Sequence, residues 1–507
     1  MFNVFGFKED VYMELETRLM RLKYEVLKEV AVLAKNDNLR KLELEKIQYK
    51  IIDGKKAEYR CCVYKERAVV YERSQLAAGF MPCDNTTLPL VDIQNKDEVI
   101  YVLPAACDKC TIDRFLVTEA CRNCIEHRCM EVCPANAVAR VGGRAHINQE
   151  MCKECGMCKK ACPYNAIAEI VRPCKKACPT SALDIHPENR MAVIKNEECT
   201  SCGACMKACP FGAISDKSYI TNVARALSDK KEVYAVVAPA IGGQFGNNVT
   251  AGMIWDALRK TGFSDVVEAA CGADAVALHE GEELTERLEN GEGYMTSSCC
   301  PGFVNYIEKK FPGEVSKISG TVSPMIACGR MLKKEHPDAV VVFIGPCTAK
   351  KSEAGRDEVK GAVDYVLTFE EIAALMGAFD VDIEKCEDVE ISQATGFGRN
   401  FAKVGGVRAA VEELLEARAE DLQLNAISVS GADEVKTAMM MAKLKKSRSR
   451  FIEGMMCDGG CTGGAGALST VRKSKAGLAK YTGSSKIKAH KDNVLLTKFE
   501  GVKLSRG

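Results

Sequence analysis

The chain has almost no charge imbalance. Its 70 Lys and Arg face 69 Asp and Glu, a formal net charge of +1 over 507 residues. That balance gives no global case for nucleic acid or an anionic membrane as partner. The chain also lacks any apolar run near the roughly 20 residues that cross a bilayer. The opening stretch MFNVFGFKEDVYMELE has neither a basic leader nor an unbroken apolar core, so no signal peptide is expected. These absences lead to the expectation of a soluble cytoplasmic protein without a membrane span. The length allows two to four domains with sizeable cores.

Cysteine is in excess, with 27 residues. They recur at two- and three-residue gaps without an export signal, which favours metal binding over disulfides. Cys121-x2-Cys124-x4-Cys129-x3-Cys133-Pro134 is followed by Cys152-x2-Cys155-x2-Cys158-x3-Cys162-Pro163. A split set joins Cys107-x2-Cys110 to Cys174-x3-Cys178-Pro179, and the last is Cys199-x2-Cys202-x2-Cys205-x3-Cys209-Pro210. A tight loop offers three thiolates to one 4Fe–4S cube, while the cysteine before proline reaches the other cluster of a pair.

That rule groups Cys121, Cys124 and Cys129 with Cys162, and Cys152, Cys155 and Cys158 with Cys133. The outer pair groups Cys199, Cys202 and Cys205 with Cys178, and Cys107, Cys110 and Cys174 with Cys209. No cysteine of the four sets is left over, so the region reads as one two-cluster ferredoxin unit inserted into another. Four 4Fe–4S clusters are expected. Isolated CxxC pairs would also suit zinc, and four complete sets argue against it. The endings PANAV, PYNAI, PTSAL and PFGAI mark an internal repeat.

Residues 1–100 are expected to be helical or mixed and do not disclose a role. The pattern predicts a long amphipathic helix over residues 10–36, a shorter one over 39–49, and strands around 59–63 and 67–71. Cys61, Cys62 and Cys83 fit no ligand spacing and are expected to pack as small core residues.

Beyond residue 230 the periodicity changes to α/β. Strand-like runs at 232–237, 339–344, 425–429 and 451–455 end in Gly, Pro or Cys loops. Helical runs at 250–261, 369–378 and 432–445 alternate with them. Parallel strands are expected, with ligands beyond their carboxyl ends. Cys300, Cys347, Cys457 and Cys461 lie in loops after such strands, where they would converge and could hold one more cluster. In TSSCCPG, residues 296–302, Cys299 and Cys300 leave an extended backbone in opposite directions, so they do not comfortably share one metal. They are either two small buried residues, or a ligand and a free thiol that handles protons.

Three signatures carry a resemblance to a known family: TSSCCPG, PCTAKKSE (346–353) and GMMCDGGCTGGAG (454–466). With Ala238-Pro239-Ala240 and FAKVGGV (401–407), they resemble the iron-only (FeFe) hydrogenases. The resemblance covers about 232–472 and the ferredoxin-like region before it. It implies an α/β catalytic domain with parallel sheets over 230–480, preceded by α+β ferredoxin-like 4Fe–4S domains over 101–220 and the helical N-terminal region over 1–100. Residues 481–507 would be a basic, solvated tail.

The resemblance further implies an H-cluster. Cys300, Cys347, Cys457 and Cys461 would hold its 4Fe–4S part, and the Cys461 sulfur would bridge to a diiron unit. That unit carries CO, cyanide and an azadithiolate, and is installed by maturation proteins. Lys350 would bond a cyanide, Met455 would pack on the diiron unit, and Ala238, Pro239 and Gly460 would line it. Cys299 would exchange protons with the bridging amine and pass them along Glu280, Ser319, Glu283 and Arg287. By spacing alone, Glu280, Glu283 and Arg287 equally suit a solvated helix face.

The implied activity is reversible H2 oxidation and proton reduction, with electrons relayed to a ferredoxin-type carrier. The family also includes low-turnover hydrogen sensors and non-catalytic iron–sulfur assembly factors; Cys299 and the lack of a recognisable signalling domain favour the enzyme. Asp458, Gly345 and Met325 stand where many members have Pro, Met and Gln, and Ala465 interrupts the glycine run. These departures imply a divergent subgroup. Cys271 is expected to add a thiol near the diiron pocket, and Cys328 and Cys386 to be structural.

Overall fold

The protein is described from a computed structural model, over residues 15–83, 89–110, 114–417 and 424–506. The first helix, Arg18–Lys35, opens at Thr17, whose hydroxyl accepts from the Met20 amide at 3.2 Å. It therefore starts later than the apolar pattern predicts; residues 10–14 lie outside the described residues. Its apolar stripe (Tyr24, Val26, Val30, Ala31, Ala34) is buried, and the helix packs on helices Ile220–Ser228 and Phe369–Ala378. Lys23 reinforces the contact through Glu370 at 3.1 Å. The N-terminal region is thus bound to the large α/β region.

The helix Lys41–Ile51 lies close to where it is expected. The strands expected around 59–63 and 67–71 do not form: Val63–Ala77 is a helix, buried at every position from Val69 to Ala77. Val69, Val70 and Tyr71 favour a pleated surface locally, and burial on all sides overrides that preference. The Glu66 carboxyl accepts from the amides of Glu58 and Arg60 at 2.7 and 2.9 Å, folding the preceding loop onto the helix. Cys61 and Cys62 sit at that reversal and are exposed, and Cys83 is partly exposed. None of the three packs in the core as expected.

The ferredoxin-like region is built from two-stranded antiparallel ribbons. Ile100–Val102 pairs with Ile214–Asp216, and inside that bracket Phe115–Val117 pairs with Ile167–Glu169. The inner unit therefore leaves and rejoins the outer one at adjacent strands.

The α/β region holds two all-parallel sheets. One has the order Asp265–Glu268, Val233–Val237, Val340–Ile344, Tyr365–Leu367. The other has the order Met295–Thr296, Phe451–Met455, Ile427–Ser430. Val233–Val237 and Phe451–Met455 are buried at every position, as parallel strands covered on both faces require. Between the sheets in sequence runs the longest helix, Ala269–Glu289.

Residues 481–506 are not a solvated tail. Val494–Phe499 packs on helices Ala269–Glu289 and Pro324–Glu335, with Phe499 buried. Leu495, Leu496, Phe499, Val502 and Leu504 alternate with the lysines and turn inward onto the core. The basic composition conceals that apolar set. Among the described residues, no helix is long and apolar enough to cross a membrane.

Candidate metal centre

The carboxyl ends of both sheets feed the loops that carry the expected cluster thiols. Val340–Ile344 leads to Cys347, Met295–Thr296 to Cys300, and Phe451–Met455 to Cys457 and then Cys461. Pro301 starts the helix Pro301–Lys310 directly after Cys300, fixing where that thiol leaves the backbone. The four thiols are half-buried and lie within electrostatic reach of one another. Burial pushes Cys347 up to about 12, and the neighbouring Cys300 and Cys461 thiols add to this. Cys457 is raised by burial and then by Cys347, Cys300, Cys202 and Cys461. Thiols held this far from their charged form at neutral pH are stabilised as thiolates by a bound metal.

Close backbone approach completes the centre. Gly460 has φ +79°, and a Cβ there would lie 2.9 Å from both the Ala402 carbonyl and the Met455 sulfur. A Cβ on Gly464 would lie 2.5 Å from the Pro346 carbonyl, next to Cys347. The Cys461 amide bonds the Ala402 carbonyl at 3.0 Å, joining FAKVGGV to the same centre. Ala238 and Pro239 are buried after Val233–Val237, and the Ala238 amide bonds the Ile344 carbonyl at 2.8 Å. Lys350 is buried, donating to Glu353 at 2.6 Å and to the Cys299 carbonyl at 3.3 Å. Among the described residues, no three His, Cys, Asp or Glu are grouped to hold a single ion. A four-iron cube takes one thiolate per iron and does not require such a group. The thiol set, the close backbone and the buried cation fit an H-cluster.

Beside Cys300, the Cys299 thiol is raised by burial, then by Glu280 and Cys300. The Glu280 side chain is fully buried; one oxygen accepts from the Ser298 amide at 3.2 Å and the other has no hydrogen-bond partner. Burial and then the Glu283 charge push the Glu280 carboxyl up to about 8, against the Ser298 amide and Ser319. Ser319 donates to Glu283 at 2.6 Å, joined by the Gly320 amide at 2.7 Å and Thr321 at 2.9 Å. Burial opposes ionisation of Glu283, yet these donors and Arg287, at 2.7 Å, hold it below the ordinary carboxylate value. Cys299, Glu280, Ser319, Glu283 and Arg287 thus form one polar file leading outward. Glu280 and Glu283 are too enclosed for a solvated helix face.

The sixteen thiols of the ferredoxin-like loops lie among one another. Cys129 is raised by burial and by Cys162, Cys124 and Cys121; Cys158 by burial and by Cys152, Cys133 and Cys155. Cys205 is raised by burial and by Cys202, Cys199, Cys178 and Cys174, so the two outer groups lie close together. Cys174 is raised by burial, Cys209 and Cys110, and Cys107 packs against the two apolar clusters that contain Cys209 and Cys174. Cys202 feels Cys300, so the group holding Cys199, Cys202, Cys205 and Cys178 lies next to the centre. Thr348 seals the junction by donating to the Ser201 carbonyl at 2.7 Å.

Cys271 departs from expectation. It is buried beside Cys328, Asp274 and Glu268, none of which belongs to the centre, because it faces the packing between helices Ala269–Glu289 and Pro324–Glu335. Two residues were missed by sequence reasoning. Glu453 is fully buried and accepts from the Gly405, Val407 and Arg408 amides and from Ser428, at 3.1, 3.4, 3.3 and 2.8 Å. A carboxylate taking only donors, at the start of helix Gly406–Ala417, anchors the FAKVGGV loop. Its only signal is a charged residue inside a strand-like run. Lys351 is fully buried between Asp216 and Glu371, at 2.7 and 2.8 Å, tying the centre to the ferredoxin-like region.

A parallel-sheet α/β region whose strand ends gather thiols, preceded by ferredoxin-like cysteine loops, defines an iron–sulfur redox protein. Residues 231–465 match the model of the iron only hydrogenase large subunit, C-terminal domain; residues 145–168 match a 4Fe-4S binding domain and 168–220 the LdpA Fe-S cluster-binding domain. The chain belongs to the iron-only hydrogenase family. It is 30% identical over 304 residues to Iron hydrogenase 1 of Clostridium pasteurianum, covering 50% of this chain and 53% of that protein. It is 30% identical over 303 residues to the periplasmic Fe hydrogenase large subunit of Nitratidesulfovibrio vulgaris, covering 49% and 72%. A shorter match, 37% over 101 residues, covers 20% of this chain and 22% of the cytosolic Fe-S cluster assembly factor NAR1 of Kluyveromyces lactis. The chain thus spans about half the length of the Clostridium protein. The solved FeFe-hydrogenase HydA1 of Chlamydomonas reinhardtii aligns at TM-score 0.43 and 23% identity, covering 54% of this chain and 90% of that one.

Proposed function

We propose that this chain is a hydrogenase that interconverts H2 with protons and electrons at an H-cluster. The observation that carries this reading is the polar file from Cys299 to Arg287, with a partner-free, buried Glu280 oxygen at its inner end. A protein that only carried or delivered clusters has no use for a buried acid–base route. When bound, the diiron part supplies the site at which H2 is split or formed and electrons are passed on.

Cys300, Cys347, Cys457 and Cys461 hold the 4Fe–4S part. Met455, Gly460, Ala238 and Pro239, all buried or closely approached, would line the diiron part. Lys350, steadied by Glu353 and the Cys299 carbonyl, offers it a cation. Cys299 takes or gives a proton at Sγ and Glu280 at its free oxygen; Ser319, beside Glu280, donates to Glu283, which Ser319, Gly320 and Arg287 keep ionised near the surface. The cysteine loops of residues 101–220 would hold four further 4Fe–4S clusters, which would supply an electron path to a ferredoxin-type carrier. The α/β unit over 230–480 is the catalytic domain, loaded by maturation proteins, and the cytoplasm is the compartment.

The similarity to NAR1 favours a second reading, iron–sulfur assembly without H2 chemistry. Infrared spectroscopy of the matured protein under H2 and CO, with H2 turnover on an artificial electron dye, separates the two. Cyanide and carbonyl bands with turnover are expected; cluster-loaded protein with neither would overturn the hydrogenase reading.

A further inference from the structure

The file that leads outward from Cys299 is held in register by a distant segment, residues 503–506. The Val322 amide bonds the Leu504 carbonyl and the Arg506 amide bonds the Gly320 carbonyl, each at 2.8 Å, around an antiparallel bridge between Thr321 and Ser505. Segment 319–321 supplies three donors to Glu283: the Ser319 and Thr321 hydroxyls and the Gly320 amide. Arg330 grips the far side of the segment through the Ser505 carbonyl at 2.8 Å.

The same segment reaches the inner half of the file. The Arg506 guanidinium donates to the Ser298 carbonyl at 2.7 Å. The Ser298 amide holds Glu280 at 3.2 Å, and its hydroxyl donates to the Thr321 carbonyl at 2.6 Å. Ser298 also immediately precedes Cys299. The guanidinium, the two backbone bonds and the Ser298 hydroxyl's bond to Thr321 therefore tie Ser298, which holds Glu280, to the 319–321 loop, which holds Glu283; the two carboxyls themselves rise from one helix, three residues apart.

We infer that Arg506 is a positioning residue for proton transfer, holding Ser298, and through its amide the Glu280 side chain, in line with the donors that hold Glu283. This rests on the hydrogenase reading. A proton hop needs donor and acceptor within hydrogen-bond reach, and a misplacement of about 1 Å costs up to about 100-fold. The side chain is placed to matter because its removal frees the Ser298 carbonyl, while the Leu504 and Gly320 bonds to backbone survive.

The test uses the full, matured chain. Arg506→Ala is expected to lower H2 turnover about tenfold, with KM for H2 and the carbonyl and cyanide bands unchanged and the solvent deuterium isotope effect increased. Arg506→Lys, which keeps a donor, should recover much of the rate. Lys498→Ala, at a surface pair with Glu335, should match the parent. Unchanged turnover in Arg506→Ala, or a loss with neither an altered isotope effect nor rescue by Lys, would overturn the inference. Amide exchange gives a readout independent of H2 chemistry. Arg506→Ala should speed exchange at the Ser298 amide and leave Val340–Ile344 unchanged; equal protection at Ser298 would overturn the inference even if the parent does not turn over H2.

Discussion

Replacing Glu280 by Gln keeps the shape of the side chain and removes its ability to carry a proton. The Ser298 amide retains its acceptor in the Gln carbonyl, so the fold around Cys299 should persist. What is lost is the group joining Cys299 to Ser319 and Glu283, and loss of a positioned acid–base group costs about 10²–10⁴ in rate. Glu280→Asp withdraws the carboxyl by one methylene, and a retreat of about 1 Å predicts a loss nearer 100-fold. The pH dependence carries a sign. A carboxyl raised to about 8 is protonated at neutral pH and ionised above that value. Proton reduction needs Glu280 as donor, so its rate should fall as pH rises through about 8, while H2 oxidation needs an acceptor and should rise. In Glu280→Gln both limbs should flatten. The assay is H2 uptake and evolution with an artificial dye between pH 6 and pH 10, with infrared bands as a check on the centre. A Gln variant that keeps more than about a tenth of the parent rate and the same pH limbs would refute the role assigned to Glu280.

Three further outcomes are expected. Glu453→Ala strips the acceptor from three amides and Ser428; unfolding in denaturant should show a loss on the order of 3 kcal/mol, since each buried donor left unpaired costs about 1–3 kcal/mol. Lys351→Met leaves Asp216 and Glu371 facing each other without their cation, for a loss of about 3–5 kcal/mol and a lower thermal midpoint. Gly464→Ala drives a methyl to 2.5 Å from the Pro346 carbonyl, prising the Cys461 loop from Cys347; iron analysis should show reduced loading while the ferredoxin-like clusters keep their electron paramagnetic signals.

Much of the centre was legible because its chemistry is carried by residue type at short spacing. Cys347, Cys457 and Cys461 stand in loops whose strands announce themselves through runs such as VVVFI and FIEGM. The nesting of the ferredoxin-like region was legible in the order of its cysteine loops, and the strand pairs Ile100–Val102 with Ile214–Asp216 and Phe115–Val117 with Ile167–Glu169 show it. What the sequence concealed depends on contacts between distant segments. Val69, Val70 and Tyr71 favour strand locally and become helix because neighbours enclose them. The lysine-rich residues after 481 hide an inward apolar set that shows only once helices Ala269–Glu289 and Pro324–Glu335 are side by side. Cys271 lies in a helix whose orientation only packing decides, and it turns towards Cys328. Glu453 resembles any charged residue in a strand until the Gly405–Arg408 amides close on it.

The inner ferredoxin-like unit begins and ends at paired strands, with the Ile170 amide bonded to the Arg114 carbonyl at 2.6 Å. An insertion whose two ends meet is a removable cassette: cutting it out leaves a gap that a tight turn can bridge. The outer unit's own eight cysteines all lie outside that cassette, at 107, 110, 174 and 178 and at 199, 202, 205 and 209. On the proposed hydrogenase reading, such an insertion can lengthen or shorten the conductor, and so the distance to an electron carrier, without disturbing the centre at the other end.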